Sequence, residues 1–385
     1  MSSNSTANPL LNFSGFPSFS LVRPEHIKPA VEKCIAECKE TVIKVTQKYG
    51  DNPTWDNLMA PIEEADDHLS RAWSVSSHLN SVVNTPELRQ AHDECLPMIA
   101  EFSSWVGQYR PLFEAMVKLE KSDDFARLTK AQRKAVENSL RDFRLSGVDL
   151  SPKDQEEYAR ISSRLSQLQS LFANNVLDAT RSFKLKIDNQ DYLRGLPKGA
   201  IKLAKSEADS ECYDGWIFTL DMPSYIPFLT YADNRDLRKQ MYEAYVTRAS
   251  EIGPDAGKFD NTKVMEEILQ LRHALANLLG FKSYAHYSLA TKMAKEPEQV
   301  VKFLEDLALK SHEQGEREVK ALQEFAKERG ADYKLEPWDM SYWSEKLRQE
   351  RYSYNAEELR PYFPADTVIK GMFECAHRIY GVSFR

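Results

Sequence analysis

Eight histidines, His26, His68, His78, His92, His273, His286, His312 and His377, set how much metal and acid-base chemistry the sequence can support. A helical zinc-hydrolase site needs two imidazoles one turn apart on one face, with a glutamate beside the first to activate the metal-bound water. No two of these histidines stand four residues apart, so the sequence holds no HExxH. The nearest string, His312-Glu313-Gln314-Gly315-Glu316, has glutamate where the second imidazole belongs. It lies in the charge-dense run SHEQGEREVK, whose simplest reading is a solvated helix face. Cys34 and Cys38 share a helical face, but no further Cys or His pair supports them as ligands, and they read as small buried side chains.

Two other motifs fail on spacing. The run Gly253 to Lys258 (GPDAGK) has three residues between its glycines and Phe259 after the lysine. A phosphate-binding loop needs four, followed by Ser or Thr to hold magnesium, so a Gly-Pro turn between helices fits better. No GxSxG elbow is present, which removes the usual serine hydrolase. No catalytic residue and no metal ligand is therefore assigned, and the chain is expected to bind no metal. The residues that could still meet a ligand are aromatic and basic. Trp338, Tyr342, Trp343, Tyr352, Tyr354, Tyr362 and Phe363 are interspersed with Lys346, Arg348 and Arg351. Rings that pack on a peptide, with guanidinium groups that meet a carboxylate, would form a binding wall, and Tyr342, Trp343, Arg351 and Tyr352 are its candidates. The competing reading is that these rings pack a helix and its following turn.

The elements that position them are almost all helical. Ser151, Pro152 and Asp154 open a long helix with the apolar face Tyr158, Ile161, Leu165, Leu168 and Phe172. Thr129 with Gln132, and Thr85 with Pro86, mark two more starts. Val264, Ile268, Leu271, Leu275, Leu278 and Leu279 step by three and four until Gly280 stops them. Between Ser182 and Leu229 the period shifts toward two, with Phe183, Leu185 and Ile187, then Trp216, Phe218 and Leu220. This predicts a small antiparallel sheet inserted in the helical chain, with a short helix between its strands within Tyr192 to Glu211. Domain boundaries are expected near 149–152 and 223–231. Residues 1–8, rich in Ser, Asn and Thr, are expected to be disordered.

Composition narrows the function. The 385 residues carry 51 Lys plus Arg against 58 Asp plus Glu, a net charge of −7, with 42% hydrophobic residues. Basic residues are interleaved with acidic ones, leaving no stripe from which a nucleic acid could displace counterions. No apolar run approaches the roughly 18 to 20 residues that span a bilayer, and no signal-like segment opens the chain. Five cysteines at irregular spacing fit reduced thiols. A cytoplasmic protein without nucleic-acid or membrane partners is expected.

Several long strings are recognisable as text. TWDNL (Thr54 to Leu58), SHLNSV (Ser77 to Val82), FANNVLDAT (Phe172 to Thr180), YEAYVTRAS (Tyr242 to Ser250), FDNTKVMEEILQLRHALANLLGF (Phe259 to Phe281), SLATKMA (Ser288 to Ala294) and ELRPYFP (Glu358 to Pro364) resemble the M3 family of zinc peptidases. That family includes thimet oligopeptidase and neurolysin, and the match, to its N-terminal half only, is nearest the oligopeptidase A branch. The resemblance implies a mainly α fold, a helical multi-layer lobe of neurolysin type with a small inserted sheet. It divides the chain into residues 9–150, an N-terminal helical domain, 151–229, a long helix with the β insertion, and 230–385, the start of the peptidase domain, cut before the zinc motif. It implies the non-catalytic half of a cytosolic metallo-oligopeptidase that cleaves short peptides, forming a wall of the substrate channel and partnered by a missing C-terminal catalytic half. Zinc would belong to the complete enzyme. The alternative is a stand-alone helical module that binds peptides or proteins without turnover. If the chain is half of a larger fold, Trp343, Met372, Phe373, Ile379 and Phe384 should be partly uncovered, and the isolated chain should bind an apolar dye or self-associate.

Overall fold

A computed structural model describes residues 8–353 and 356–384. The disorder expected of residues 1–8 therefore falls, apart from Asn8, outside the described residues, as does Tyr354. Asn8 itself is placed, its carboxamide oxygen accepting from Leu10 N at 3.0 Å. Among the described residues the fold is mainly α with one two-stranded antiparallel sheet, as the sequence implies. Among the described residues no helix is long and apolar enough to cross a membrane. Two compact units are present, Met1–Ala173 with Lys263–Val301, and Asn174–Thr262 with Lys302–Arg385.

The first unit is built from helices packed on shared apolar cores. Pro24–Tyr49 buries a three-and-four stripe, of which Ile27, Val31, Cys34, Ile35 and Cys38 are set against Ala60–Val82 and Pro86–Gln108, while Val42 and Val45 join a second core with Leu58, Leu112 and Leu140. Cys34 and Cys38 are core side chains there. The Cys38 thiol donates to the Ala65 carbonyl at 3.2 Å, and burial pushes the two thiols up to about 11 and about 12, where they stay protonated and unreactive. The start signals are realised as hydrogen bonds. Gln132 N donates to Thr129 Oγ1 at 3.2 Å while Thr129 N donates back to Gln132 Oε1 at 3.0 Å, and Asp154 N donates to Ser151 Oγ at 3.3 Å. Tyr158, Ile161, Leu165 and Leu168 of the long helix Pro152–Ser182 pack on Val264, Ile268 and Leu275 of Thr262–Leu278. Gly280, at φ +81°, lets the chain turn off that second helix, with Phe281 N donating to Ala276 O at 2.9 Å.

The second unit holds the sheet. Leu185–Ile187 and Trp216–Phe218 pair antiparallel, Leu185 opposite Phe218 and Ile187 opposite Trp216. The pairing is shorter than the alternation in the sequence because from Met222 the chain is helical. Pro223 sits in the first turn of Met222–Tyr231, and Thr219 N donates to Ser224 Oγ at 3.0 Å. Leu185, Ile187, Phe218, Leu220, Phe228 and Met241 form the core over which Lys198–Ser210 and Arg235–Val246 lie. Gly195, at φ +85°, brings its Cα against the Tyr231 carbonyl where no side chain fits, and Asp233 N then donates to Arg194 O at 2.9 Å. That closure fixes Asp233. The helix Pro337–Tyr352 packs on the end of Pro297–Glu328 through Leu322, Phe325, Ala326 and Trp343. Ala365–Tyr380 follows.

Candidate functional site

The aromatic and basic cluster read from the sequence is centred on a buried acid. Glu336 and Asp339 open the helix Pro337–Tyr352 with a reciprocal cap, Glu336 N donating to Asp339 Oδ2 at 3.1 Å. Asp339 is fully buried and receives two guanidinium groups, Arg235 Nη2 at 2.7 Å and Arg238 Nη2 at 2.9 Å. Burial alone would raise its carboxyl; the hydrogen bonds from Arg235, Glu336 N and Arg238 overcome that and hold it below the ordinary carboxylate range. Arg235, hydrogen-bonded to Asp339, is raised in turn. Arg238 also donates to Ala232 O at 2.7 Å and Trp338 O at 3.2 Å, so its buried donors are spent on this junction.

Tyr342 belongs to the same junction. Its ring lies 4.1 Å from the Arg238 guanidinium and its hydroxyl donates to Asp233 Oδ1 at 2.9 Å, while burial and the Asp233 charge push its hydroxyl up. Trp343 departs from the expectation that it is uncovered. It is 8% exposed, edge-on to Phe325 with centroids 6.2 Å apart. The physical reason is the turn after Glu328, where Leu335 N donates to Gln323 Oε1 at 2.8 Å and Gln323 Nε2 to Tyr333 O at 3.0 Å, folding the Trp343 face onto Phe325.

Arg351 and Tyr352 lie elsewhere on that helix, at a groove of about 460 Å³ beside Gly315, Glu318, Val319 and Leu322 of the long helix. Leu347 and Met340 supply its apolar lining. Arg348, which also reaches it, is gripped at 2.8 Å on two nitrogens by Glu345. Arg351 forms no ion pair among the described residues, and Tyr352 is 67% exposed. An apolar trough with one uncommitted guanidinium and one exposed phenol at its rim suits an extended amphipathic chain bearing a carboxylate. The structure thus divides the four candidates: two hold the helix in place and two stand at a groove.

A second surface is apolar and open. On Pro297–Glu328, Phe303, Leu304, Leu307 and Leu309 are exposed, and on Ala365–Tyr380 the stripe Val368, Met372 and Ile379 is 46%, 56% and 69% exposed. Phe384 is half-exposed and stacks at 4.2 Å on Phe373, which is partly covered.

The donors of a zinc peptidase do not fit here. His312 Nε2 meets Glu316 Oε1 at 3.3 Å on an open helix face, both side chains more than two thirds exposed, with no third donor beside them among the described residues. Lys258 precedes a helix start capped by Asp260, whose Oδ1 accepts from Thr262 N at 2.8 Å, so the GPDAGK run is a turn and no phosphate cradle. The structure does bring His286 together with Glu296 and Glu298, a set not singled out in the sequence. Separations of ten and twelve residues carry no periodic signal.

Comparison with known proteins joins these observations. The model of peptidase family M3 matches residues 228–385, and that of the neurolysin/thimet oligopeptidase N-terminal domain matches residues 31–157. The chain is 51% identical to oligopeptidase A of Haemophilus influenzae over 378 residues, 98% of this chain and 55% of that protein. It is 50% identical to oligopeptidase A of Escherichia coli, again over 98% and 55%, and 36% identical to a probable cytosolic oligopeptidase A of Arabidopsis thaliana over 98% and 54%. The chain spans about half the length of the curated relatives it matches. With two successive segments matched by models of this family and half of its residues shared with the two bacterial proteins, the chain is similar to peptidase family M3 and to the N-terminal half of oligopeptidase A.

Proposed function

We propose that this chain is the non-catalytic part of a cytosolic zinc metallo-oligopeptidase that cleaves short peptides. Its second unit contributes a wall of the substrate channel, with Arg351 and Tyr352 facing the peptide and Tyr342 and Trp343 holding their helix in position. Residues 9–150 form the N-terminal helical domain, 151–229 the long helix with the β insertion, and 230–385 the beginning of the peptidase domain. The observation that carries this reading is the pairing of 98% coverage of this chain with 55% coverage of oligopeptidase A, in a sequence without HExxH. Bond cleavage is assigned to the part of the relatives that this chain does not match, since no donor set here fits the family's zinc. The open apolar faces of Pro297–Glu328 and Ala365–Tyr380 support it over a self-contained binding module, which would cover them itself.

The test is a quenched fluorescent peptide assay on two polypeptides: this chain alone, and this chain joined to the unmatched part of the Escherichia coli protein. The expected result is cleavage by the joined polypeptide, abolished by a chelator, and none by the chain alone. Chelator-sensitive cleavage by the chain alone, or a folded and zinc-loaded joined polypeptide that is inert, would overturn the reading.

A further inference from the structure

The chain folds back between residues 283 and 298, so that side chains from the two ends of this stretch meet. His286 lies in the short helix Tyr284–Leu289, while Glu296 and Glu298 flank Pro297 at the start of the next helix. One imidazole nitrogen and two carboxylate oxygens all lie within 4.8 Å of one another. An ion at about 2.1 Å from each would draw tetrahedral donors to about 3.4 Å, a contraction that rotation of two exposed glutamate side chains can supply. The imidazole is already set. Ser283 Oγ stands 2.8 Å from His286 Nδ1, which turns Nε2 toward Glu296 Oε2 at 3.9 Å. A ligating histidine is oriented in this way, through a partner on its other nitrogen. Neither glutamate forms an ion pair with Lys or Arg among the described residues, so two negative charges converge uncompensated beside the ring. Two carboxylates at a helix start would make no site by themselves; an imidazole from a different helix, held by a serine, completes a mixed nitrogen and oxygen set.

We propose that His286, Glu296 and Glu298 bind one zinc ion, with water filling the remaining position. Magnesium and calcium prefer all-oxygen shells, whereas an imidazole with carboxylates suits zinc. The ion would clip the loop between the two helices. This departs from the expectation that the chain holds no metal, and it rests on these side chains alone, whatever the fate of the peptidase reading.

Calorimetric titration of the metal-free full chain with zinc chloride tests it. About one zinc per chain is expected at micromolar concentration. His286→Ala and Glu298→Gln should each weaken binding by about tenfold or more, with unchanged circular dichroism, while His312→Ala leaves it intact. Millimolar magnesium should not displace the zinc. No uptake at micromolar zinc, or binding unchanged in both His286→Ala and Glu298→Gln, or ready displacement by magnesium, would overturn the proposal.

Discussion

The helices Pro24–Tyr49 and Ala365–Tyr380 share one pattern and have opposite surroundings. In the first, the apolar steps from Ile27 to Cys38 are buried against two neighbouring helices, and Val42 and Val45 are buried in an adjoining core with Leu58, Leu112 and Leu140. In the second, Val368, Met372, Cys375 and Ile379 repeat the same three-and-four spacing, and among the described residues nothing buries any of them. Covering an aliphatic side chain of this size stabilises by about 1.5–3 kcal/mol. An amphipathic stripe therefore marks where a partner belongs without supplying one, and the two helices differ in whether this chain brings that partner. The proposal follows from the second case: its cover lies in the part of the relatives that the chain does not match.

Substitutions can break or sharpen this contrast. The largest effect is expected at Asp339, the anchor of the covered region. Asp339→Ala leaves Arg235 and the buried Arg238 without their counter-charge and should cost about 3–5 kcal/mol in the second unit, read by urea denaturation followed through tryptophan fluorescence. Because the carboxyl is held below its ordinary value, its contribution is complete above the unfolded-state value of about 3.9 and fades as pH falls through the lower folded-state value. Stability of that unit should thus drop in acid below about pH 4, and Asp339→Asn should flatten the drop. An unchanged acid limb in Asp339→Asn would remove Asp339 from its assigned role.

Ile27→Ala and Met372→Ala compare the two helices directly. The first opens a cavity in a closed core and should cost about 2–5 kcal/mol; the second, in the chain alone, should stay within about 0.5 kcal/mol. Equal losses would mean that the second helix is covered after all. The smallest effect on stability belongs to Met372→Glu with Ile379→Lys, which should leave helix content unchanged while lowering apolar-dye binding and self-association in sedimentation runs. If dye binding persists, the apolar surface lies elsewhere.

What could be read from the sequence follows from how local its causes are. Caps such as Thr129 with Gln132, and stops such as Gly280, act within four residues, so helix ends were legible. The sheet was legible from alternation, though Pro223 ended it early. The groove was only half legible. Whether Trp343 or Tyr352 faces outward depends on the turn pinned by Gln323, whose partners lie ten and twelve residues away with no period to announce them. Asp339 reads as one helix-start acid among several until the fold brings Arg235 and Arg238, a hundred residues earlier, onto it. The His286, Glu296 and Glu298 set was missed for the same reason.

Cys375 offers the most direct measurement, since it lies on the open stripe between Met372 and Ile379 and is exposed, while Cys34, Cys38 and Cys95 are buried. In a Cys212→Ser background it is the one exposed thiol to follow. Alkylation of Cys375 should be rapid in the chain alone. It should slow by about tenfold or more when the chain is joined to the unmatched part of the Haemophilus influenzae protein, because only transient opening would then expose the thiol. Equally fast labelling in a folded, peptide-cleaving joined polypeptide would contradict the claim that this face is built to be covered by the rest of the peptidase.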